Sequence, residues 1–283
     1  MGDMPIVRQV DHIIIGADAP EALCSLLSEK LQLPKVMPFI PYGMGGKGAV
    51  STGNVCFEIF SPISPPSEPR PARIVGFAFE PLPLVESLTE LDRRGIAHGG
   101  PEPTHSPDGE LLWTNVMLSE LTEGWVSMSD FTQYTGPRDR GLNVFLCEYH
   151  ALDHWGVRTW APSHRPTLLD QLRSREGGPV GLLAAKEITV GVSDYSDAIA
   201  RWGRLLAPAP SLGEGAWAVG DGPAIRLVPS TDTAILSLTF AVESLDRARM
   251  FLASKDMLGE SSEHQVTISP SKVQGLDLRL VQQ

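Results

Sequence analysis

The stretch "VDHIIIGADAPEALCSLL", residues 10–27, contains a strand pattern and a helix pattern in direct succession. Its first part is a β-branched run that ends near Gly16 and is typical of a buried strand. From Pro20 the apolar residues recur at helical spacing, at Leu23, Leu26, Leu27 and Leu31. The stretch therefore predicts a strand followed by a helix, with a single histidine, His12, near the front of the strand.

Short apolar runs follow this helix, and "NVCFEIF" at 54–60 is the last of them before a proline-rich connector at 61–71. Residues 8–62 are thus predicted to form one β-α-β-β-β module. The order recurs in three further segments, 71–150, 184–231 and 234–283. In the second module the strand candidates after the helix are "LLWTNVMLS" at 111–119, "GWVSMSDF" at 124–131 and "NVFLCEYH" at 143–150.

Four such modules predict an α+β fold with two domains. The first domain is expected at residues 1–150 and the second at 181–283. Residues 151–180 are rich in aromatic, proline and basic residues and interrupt the repeat, so a domain linker is expected there.

Composition limits the classes of partner. The chain has 283 residues, 42% of them hydrophobic, and a formal charge of -11 without a cluster of lysines or arginines. This balance argues against nucleic acid and against an anionic membrane surface as partners, and favours a small-molecule substrate or ligand. Three dispersed cysteines, no export signal and no apolar run near the roughly 20 residues of a membrane span favour a cytoplasmic protein.

The repeated module resembles the vicinal oxygen chelate superfamily, most clearly through "VDHIIIGADAPEAL" and "GNVCFEIFSP", and "FLCEYH" resembles the last strand of its second module. That superfamily includes glyoxalase I, extradiol ring-cleaving dioxygenases, fosfomycin-resistance proteins and bleomycin-binding proteins. The resemblance implies that two modules pair into one domain whose mixed sheet forms a cup. It also implies that metal ligands project into the cup from the first and last strands of each module.

Carried onto this sequence, the implied ligand positions fall on His12, Glu58 and Glu148. The two glutamates are also the implied catalytic groups. The fourth position falls near residues 74–76, which cannot bind a metal. One imidazole and two carboxylates would suit a divalent ion such as Fe, Mn, Co, Ni or Zn and would leave coordination sites open for a substrate.

Further residues have possible supporting roles. His150 shares a strand face with Glu148 and is a candidate for the missing position or for a contact with a ligand residue. His154 and Trp155 are candidates for a lid over the cup, although a linker packed by its own aromatic residues would use the same residue types.

The second half has the opposite charges at the corresponding positions. Glu187 aligns with His12, and two arginines, Arg226 and Arg279, align with the glutamates. One carboxylate between two guanidinium groups predicts a salt-bridged or anion-accepting pseudo-site that does not bind metal.

Three functions follow from these patterns. The first is a metal-dependent, glyoxalase-like enzyme in which the ion stabilises an enolate or oxyanion. The second is a metal-free binding protein for an antibiotic or aromatic ligand, of the bleomycin-resistance type. The third, an extradiol dioxygenase, normally needs a second histidine that residues 74–76 do not supply. Four modules complete two cups in one chain, so the sequence is compatible with a monomer and with a homodimer.

Overall fold

The structure is a computed structural model that describes residues 4–42, 45–61, 70–122 and 142–283, without the side chains of Tyr42 and Trp155. The strand predicted at 124–131 and most of the connector predicted at 61–71 lie outside the described residues.

The first domain contains two β-α-β-β-β modules. The first module consists of β1 (Val7–Gly16), α1 (Pro20–Ser25) with a π-helical continuation (Leu26–Lys30), β2 (Lys35–Tyr42), β3 (Gly45–Ser51) and β4 (Cys56–Phe60). The second consists of β5 (Arg73–Pro81), α2 (Leu84–Arg94), β6 (Glu102–His105), β7 (Leu111–Met117) and β8 (Asn143–Tyr149). In the described residues these strands form one sheet in the order β2-β3-β4-β1-β5-β8-β7-β6. The first strands of the two modules, β1 and β5, are thus antiparallel neighbours at its centre.

The second domain repeats this plan with one strand fewer. Its elements are β9 (Leu182–Val192), α5 (Tyr195–Leu206), β10 (Ala216–Trp217), β11 (Ala224–Pro229), β12 (Ala234–Val242), α6 (Leu245–Ser254), β13 (Leu258–Ser261), β14 (Gln265–Ile268) and β15 (Leu278–Gln282). The strand order is β10-β11-β9-β12-β15-β14-β13. Residues 182–283 are all described, and their first module has two strands after its helix where three were predicted.

The segment predicted to be a plain linker contains helices. They are α3 (Trp155–Arg158), a 3-10 turn (Pro162–His164) and α4 (Arg165–Arg173). Leu168 and Leu172 are 1% exposed, so this segment is part of the packed structure. Leu168, Leu169 and Leu172 do have helical spacing, but the aromatic, proline and basic residues of the segment as a whole favoured a linker.

The two sheets share one hydrophobic core. Alternate residues of the first sheet, among them Ile13, Phe57 and Phe77, face this core together with residues of the second sheet. Phe57 lies 6.0 Å from Phe240 of β12, and Phe77 lies 6.1 Å from Trp202 of α5, measured between ring centroids. The other face of the first sheet is the inner face of the cup. The predicted α+β fold with curled mixed sheets is confirmed, and no described helix is long and apolar enough to cross a membrane.

Candidate functional site

A β-bulge in β1 creates the most polar part of the cup. Val10 pairs with Phe79 of β5 and His12 pairs with Ala78, so Asp11 is an extra residue on the β1 side. Such a bulge breaks the alternation of side chains between the two faces. Val10 packs in the shared core, and Asp11 and His12 both contact residues of the cup.

Asp11 holds His12 in one orientation. Asp11 Oδ2 lies 2.6 Å from His12 Nδ1 and accepts a hydrogen bond from the hydroxyl of Tyr149 at 2.9 Å. The His12 ring is edge-on to Phe145 and Trp160, at centroid distances of 5.6 and 5.8 Å. With Nδ1 occupied, Nε2 is the nitrogen that remains for a molecule in the cup.

Arg165, the first residue of α4, supplies the charge that balances Asp11. Its Nη2 donates to Asp11 Oδ1, and its Nη1 donates to Glu80 Oε2 at 3.1 Å. Glu80 Oε2 also accepts a hydrogen bond from the side chain of Gln9 at 2.7 Å. Arg165 is 7% exposed and Asp11 is 2% exposed, so this ion pair is buried. The helical segment between the domains therefore contributes directly to the site.

The surroundings set the protonation state of these groups. Burial alone would raise the pKa of Asp11, but the hydrogen bond from His12 and the charge of Arg165 lower it below its usual value. Burial raises the pKa of Cys147 and of Tyr149 well above their usual values, and the nearby Asp11 raises both further. At neutral pH the site therefore contains an ionised carboxylate next to a neutral thiol and a neutral phenol.

These residues line a cavity of about 260 Å³ in the cup. Its walls combine aromatic and polar side chains, and the lining residues are His12, Ile14, Lys47, Glu58, Thr104, Trp113, Asn115, Phe145, Cys147, Tyr149, Gly156 and Trp160. A wider cleft of about 830 Å³ opens elsewhere, between α1 and the 3-10 turn at Pro270–Lys272. Its lining includes none of the groups around Asp11, so the cup is the stronger candidate for a ligand site.

Glu58 lies in the cup, as its alternation with Cys56 and Phe60 predicted. It is two residue pairs further along the strands than His12, because His12 is paired with Cys56 and Glu58 with Ile14. Glu58 Oε1 is 3.8 Å from Lys47 Nζ, so an ammonium group of the neighbouring strand compensates its charge.

Glu148 is not brought together with His12 and Glu58. It shares a face of β8 with Leu146, and this face packs on the shared core, while Phe145 and Cys147 face the cup. Glu148 Oε1 accepts a hydrogen bond of 2.8 Å from the backbone N–H of Leu84, the first residue of α2. A carboxylate at a helix N-terminus satisfies a free N–H group and interacts favourably with the helix dipole.

Two residues with predicted supporting roles, His150 and His154, do not line the cavity. His150 Nε2 is 2.9 Å from Thr114 Oγ1 and 3.7 Å from Glu148 Oε2, so it accompanies Glu148 at the end of β8. His154 caps α3, where its Nδ1 accepts a hydrogen bond from the backbone N–H of Gly156 at 3.1 Å. Trp155 begins α3, and its side chain is outside the described part. Among the described side chains of this segment, Trp160 is the aromatic one that lines the cavity.

The fourth predicted ligand position has no side chain that binds a metal. Pairing across β1 and β5 puts Ala78 opposite His12, a few residues beyond the predicted positions 74–76. Neither these positions nor Ala78 has a side chain that binds a metal, so the second histidine expected of a ring-cleaving dioxygenase has no counterpart on β5.

The side chains around the cavity do not fit the predicted divalent metal. Such a site needs about three protein ligands close together. Among the described residues, no group of three or more His, Cys, Asp and Glu side chains is close enough to hold an ion. Glu148 faces away from the cavity, and the charge of Glu58 is compensated by Lys47.

The pseudo-site of the second domain contains two separate ion pairs. Arg226 Nε donates to Glu187 Oε2 at 2.8 Å. Arg279 instead pairs with Asp277, two residues earlier, through Nη2 and Oδ2 at 2.6 Å. Glu187 and Arg279 flank the same residue of β12, Thr239. All of these guanidinium and carboxylate groups thus have a partner.

Sequence reasoning missed Asp11, Asn115, Tyr149 and Arg165. Strict alternation assigns Asp11 to the face opposite His12, and only the bulge reverses this. Tyr149 alternates with Phe145 and Cys147 and would have been found if the cup face of β8 had been assigned correctly. Arg165 lies in the expected linker, where no periodic signal pointed to a buried residue.

Comparison with known proteins gives structural matches only. No family model matches the sequence, and no curated protein is significantly similar to it. The 2,3-dioxygenase LapB from Pseudomonas sp. KL28 is 12% identical with a TM-score of 0.59, and the match covers 99% of this chain and 93% of that one. Homoprotocatechuate 2,3-dioxygenase from Arthrobacter globiformis is 10% identical with a TM-score of 0.54, covering 100% and 81%.

The Mn(II)-bound glyoxalase from Novosphingobium aromaticivorans is 11% identical with a TM-score of 0.50, covering 99% of this chain and 83% of that one. Identities this low show similarity of fold only, so the reaction has to be argued from the residues of the site. With its paired modules and curled mixed sheets, the chain has the fold of the vicinal oxygen chelate superfamily.

Proposed function

We propose that the chain binds a small organic molecule in the cup of the first domain and that His12 removes a proton from it without help from a metal ion. The observation that carries this proposal is the hydrogen-bonded Asp11–His12 pair, whose imidazole lines a cavity together with several aromatic side chains. A histidine oriented by a carboxylate is a common general base.

The proposed proton removal by His12 follows from the hydrogen bond that occupies its Nδ1. The lowered pKa keeps Asp11 ionised, and an ionised carboxylate accepts hydrogen bonds only, so Nδ1 of His12 carries the proton. In a neutral imidazole the lone pair of Nε2 is then free for a proton of the bound molecule. When His12 takes that proton, the adjacent negative charge of Asp11 stabilises the imidazolium.

Tyr149 and Arg165 keep Asp11 in place for this role. Asp11 receives hydrogen bonds from Tyr149 and Arg165 as well as from His12. A carboxylate held by several donors stays ionised and fixed, which preserves the orientation of the imidazole.

A Kemp elimination tests the proposed base directly. In 5-nitrobenzisoxazole a base removes one carbon-bound proton, the electron pair forms a nitrile, and the N–O bond breaks to leave a coloured phenolate. The wild-type protein should accelerate this reaction about 10²-fold over the His12→Ala variant, the lower end of the range for a positioned base. The control variant is His98→Ala, whose histidine lies outside the cavity and should be dispensable. Equal rates for wild type and His12→Ala would refute the proposal.

The same proteins decide between this mechanism and the metal-dependent one. Elemental analysis of protein prepared without chelators should find no stoichiometric Fe, Mn, Co, Ni or Zn that His12→Ala removes. The Kemp rate should also be insensitive to a chelator. One equivalent of metal that disappears in His12→Ala would favour the metal-dependent reaction instead.

The second candidate function is binding without a reaction. It is favoured by the packing of the His12 ring edge-on against Phe145 and Trp160, since an imidazole can serve simply as part of an aromatic wall. In that case small flat molecules would bind in the cup, but the Kemp rate would not depend on His12.

A further inference from the structure

Asn115 of β7 has an unused acceptor at the cavity wall. It is 5% exposed and lines the cup, and within the described part of the chain its Oδ1 has no hydrogen-bond partner. Leaving a buried carbonyl oxygen unpaired is costly, and unpaired groups of this kind are rare in folded proteins. A ligand that donates a hydrogen bond would remove this cost.

The other two asparagines of the chain differ from Asn115 in this respect. Asn54 donates to the backbone oxygen of Ala185 at 2.8 Å and accepts from its N–H at 3.0 Å. Asn143 donates to the backbone oxygen of Val75 at 2.7 Å. These two side chains connect pieces of backbone. Asn115 instead lies between Trp113 and Met117 on the cup face of its strand, and its Oδ1 joins no other described residue.

The charges around the cavity are compensated within the protein. Asp11 is paired with Arg165, and Glu58 lies beside Lys47. A charged ligand would have to disrupt one of these pairs or remain uncompensated in a buried space, which is unfavourable. An uncharged ligand avoids both costs.

The walls and the volume of the cavity limit the size and shape of the ligand. Trp113, Phe145 and Trp160 present ring surfaces to the cavity, and such surfaces pack best against a flat molecule. A volume of about 260 Å³ corresponds to about nine water molecules at roughly 30 Å³ each. The cavity is therefore suited to a molecule of one or two small rings.

We infer that Asn115 is the specificity-determining residue of this cavity and that its Oδ1 accepts a hydrogen bond from an N–H or O–H group of a small, flat, uncharged ligand. This inference rests on the proposed use of the cup as a binding site. Oδ1 is shielded from water in the free protein. In the proposed complex, rotation about χ2, a soft torsion in asparagine, presents Oδ1 to the ligand.

Two probes of equal size test the role of the donor. Indole has one N–H group, and benzofuran has an ether oxygen in its place. Both are titrated into ¹⁵N-labelled protein, and the indole N–H signals of Trp113 and Trp160 report binding in the cup. Indole should bind about tenfold more tightly than benzofuran, which is the effect of one buried neutral hydrogen bond. 1-Methylindole, which lacks the donor, should behave like benzofuran.

Variants connect this preference to Asn115. Asn115→Leu keeps the approximate size but removes the acceptor, so the affinity ratio should fall to about one. Thr114→Val is the matched control, because Thr114 is the preceding residue, is also buried, and contacts His150 outside the cavity. It should keep the tenfold ratio. Circular dichroism verifies that both variants are folded.

The outcomes separate the inference from the proposed function. If indole and benzofuran shift the same tryptophan signals with equal affinity, the cup binds ligands but Asn115 does not select them, and the inference is refuted. The same holds if folded Asn115→Leu keeps the preference for indole. If neither probe perturbs these signals up to its solubility limit, the cup is not a site for such molecules, and the proposed function fails as well.

Discussion

Asp11 is the residue on which the candidate site depends, because three side chains use its two oxygens. A buried carboxylate is tolerated only with compensating partners, and Arg165 is the cationic one. Removing Arg165 should therefore cost more than an ordinary surface substitution.

The variant Arg165→Leu should lower the free energy of unfolding by about 3–5 kcal/mol, since it leaves Asp11 buried without its counterion. Adding Asp11→Asn to Arg165→Leu should restore part of this loss, because the uncompensated charge is then gone. Urea denaturation of the two single variants and the double variant measures both effects. Strictly additive losses would mean that the two residues do not stabilise each other.

Glu148 has a different role at the same scale, as a partner of the first backbone N–H group of α2. Glu148→Ala should cost about 1 kcal/mol of stability, the usual effect of removing a helix-capping side chain. It should leave indole binding and the Kemp rate unchanged. A loss of indole binding or of the Kemp rate in a folded Glu148→Ala protein would show that Glu148 contributes to the site.

Among the elements, β4 and β8 show how far the sequence alone predicts the site. Alternation correctly groups Glu58 with Cys56 and Phe60, and Glu148 with Leu146. It cannot decide which face of β8 meets the cup, because both faces are apolar.

The bulge at Asp11 also cannot be predicted from the sequence of β1 alone. It depends on how β1 pairs with Phe79 and Ala78 of β5. Pairing of this kind is a property of two distant segments, so a period within one of them does not reveal it.

The contact between β5 and β8 requires a glycine. A Cβ on Gly76 would lie 2.3 Å from the backbone oxygen of Asn143, with which Gly76 is paired. Gly76→Ala should therefore push the two strands apart and destabilise the protein by about 1–3 kcal/mol. Gly100→Ala is the control, because a Cβ at that position would meet no described atom within 4 Å beyond its chain neighbours. Thermal unfolding of both variants tests this, and equal midpoints would contradict it.

At the scale of the whole molecule, α2 is connected to the end of α5 and to the N-terminal segment through one arginine. Arg94 donates to the backbone oxygens of Arg204 and Ala207 at 2.7 and 2.9 Å, and to that of Met4. Glu90 accepts hydrogen bonds from Arg93 and from Arg94. The hydrogen bonds from Arg93 and then Arg94 lower the pKa of Glu90 from 4.5 to about 2.

This lowered pKa predicts part of the acid sensitivity. A carboxyl group whose pKa is lower in the folded state contributes stability above its unfolded value of 4.5, and that contribution is lost as the pH falls toward about 2. Glu90→Gln should be less stable than wild type near neutral pH and should lose less stability over this acid range. Urea unfolding at several pH values measures the two slopes, and parallel slopes would exclude a contribution from Glu90.

The plan of four modules could be predicted because each begins with a strand followed by a helix, although the third has one strand fewer than predicted. The packing of residues 151–180 against the first sheet could not be predicted. Its buried contacts come from residues such as Trp160, Arg165 and Leu168, whose partners lie in the first sheet. The spacing of Leu168 and Leu172 indicates a helix, but it does not indicate which surface the helix packs against.

The bulge of β1 also has a genetic consequence. Without Asp11, Val10 would be followed directly by His12, and the residues from Val10 to Ile15 would alternate regularly between the core and the cup. Loss of a single codon would thus straighten the strand and keep His12 in the cavity while removing its carboxylate. Gain of that codon in a regular ancestral strand would create the pair in one step, without a change to any other residue of the sheet.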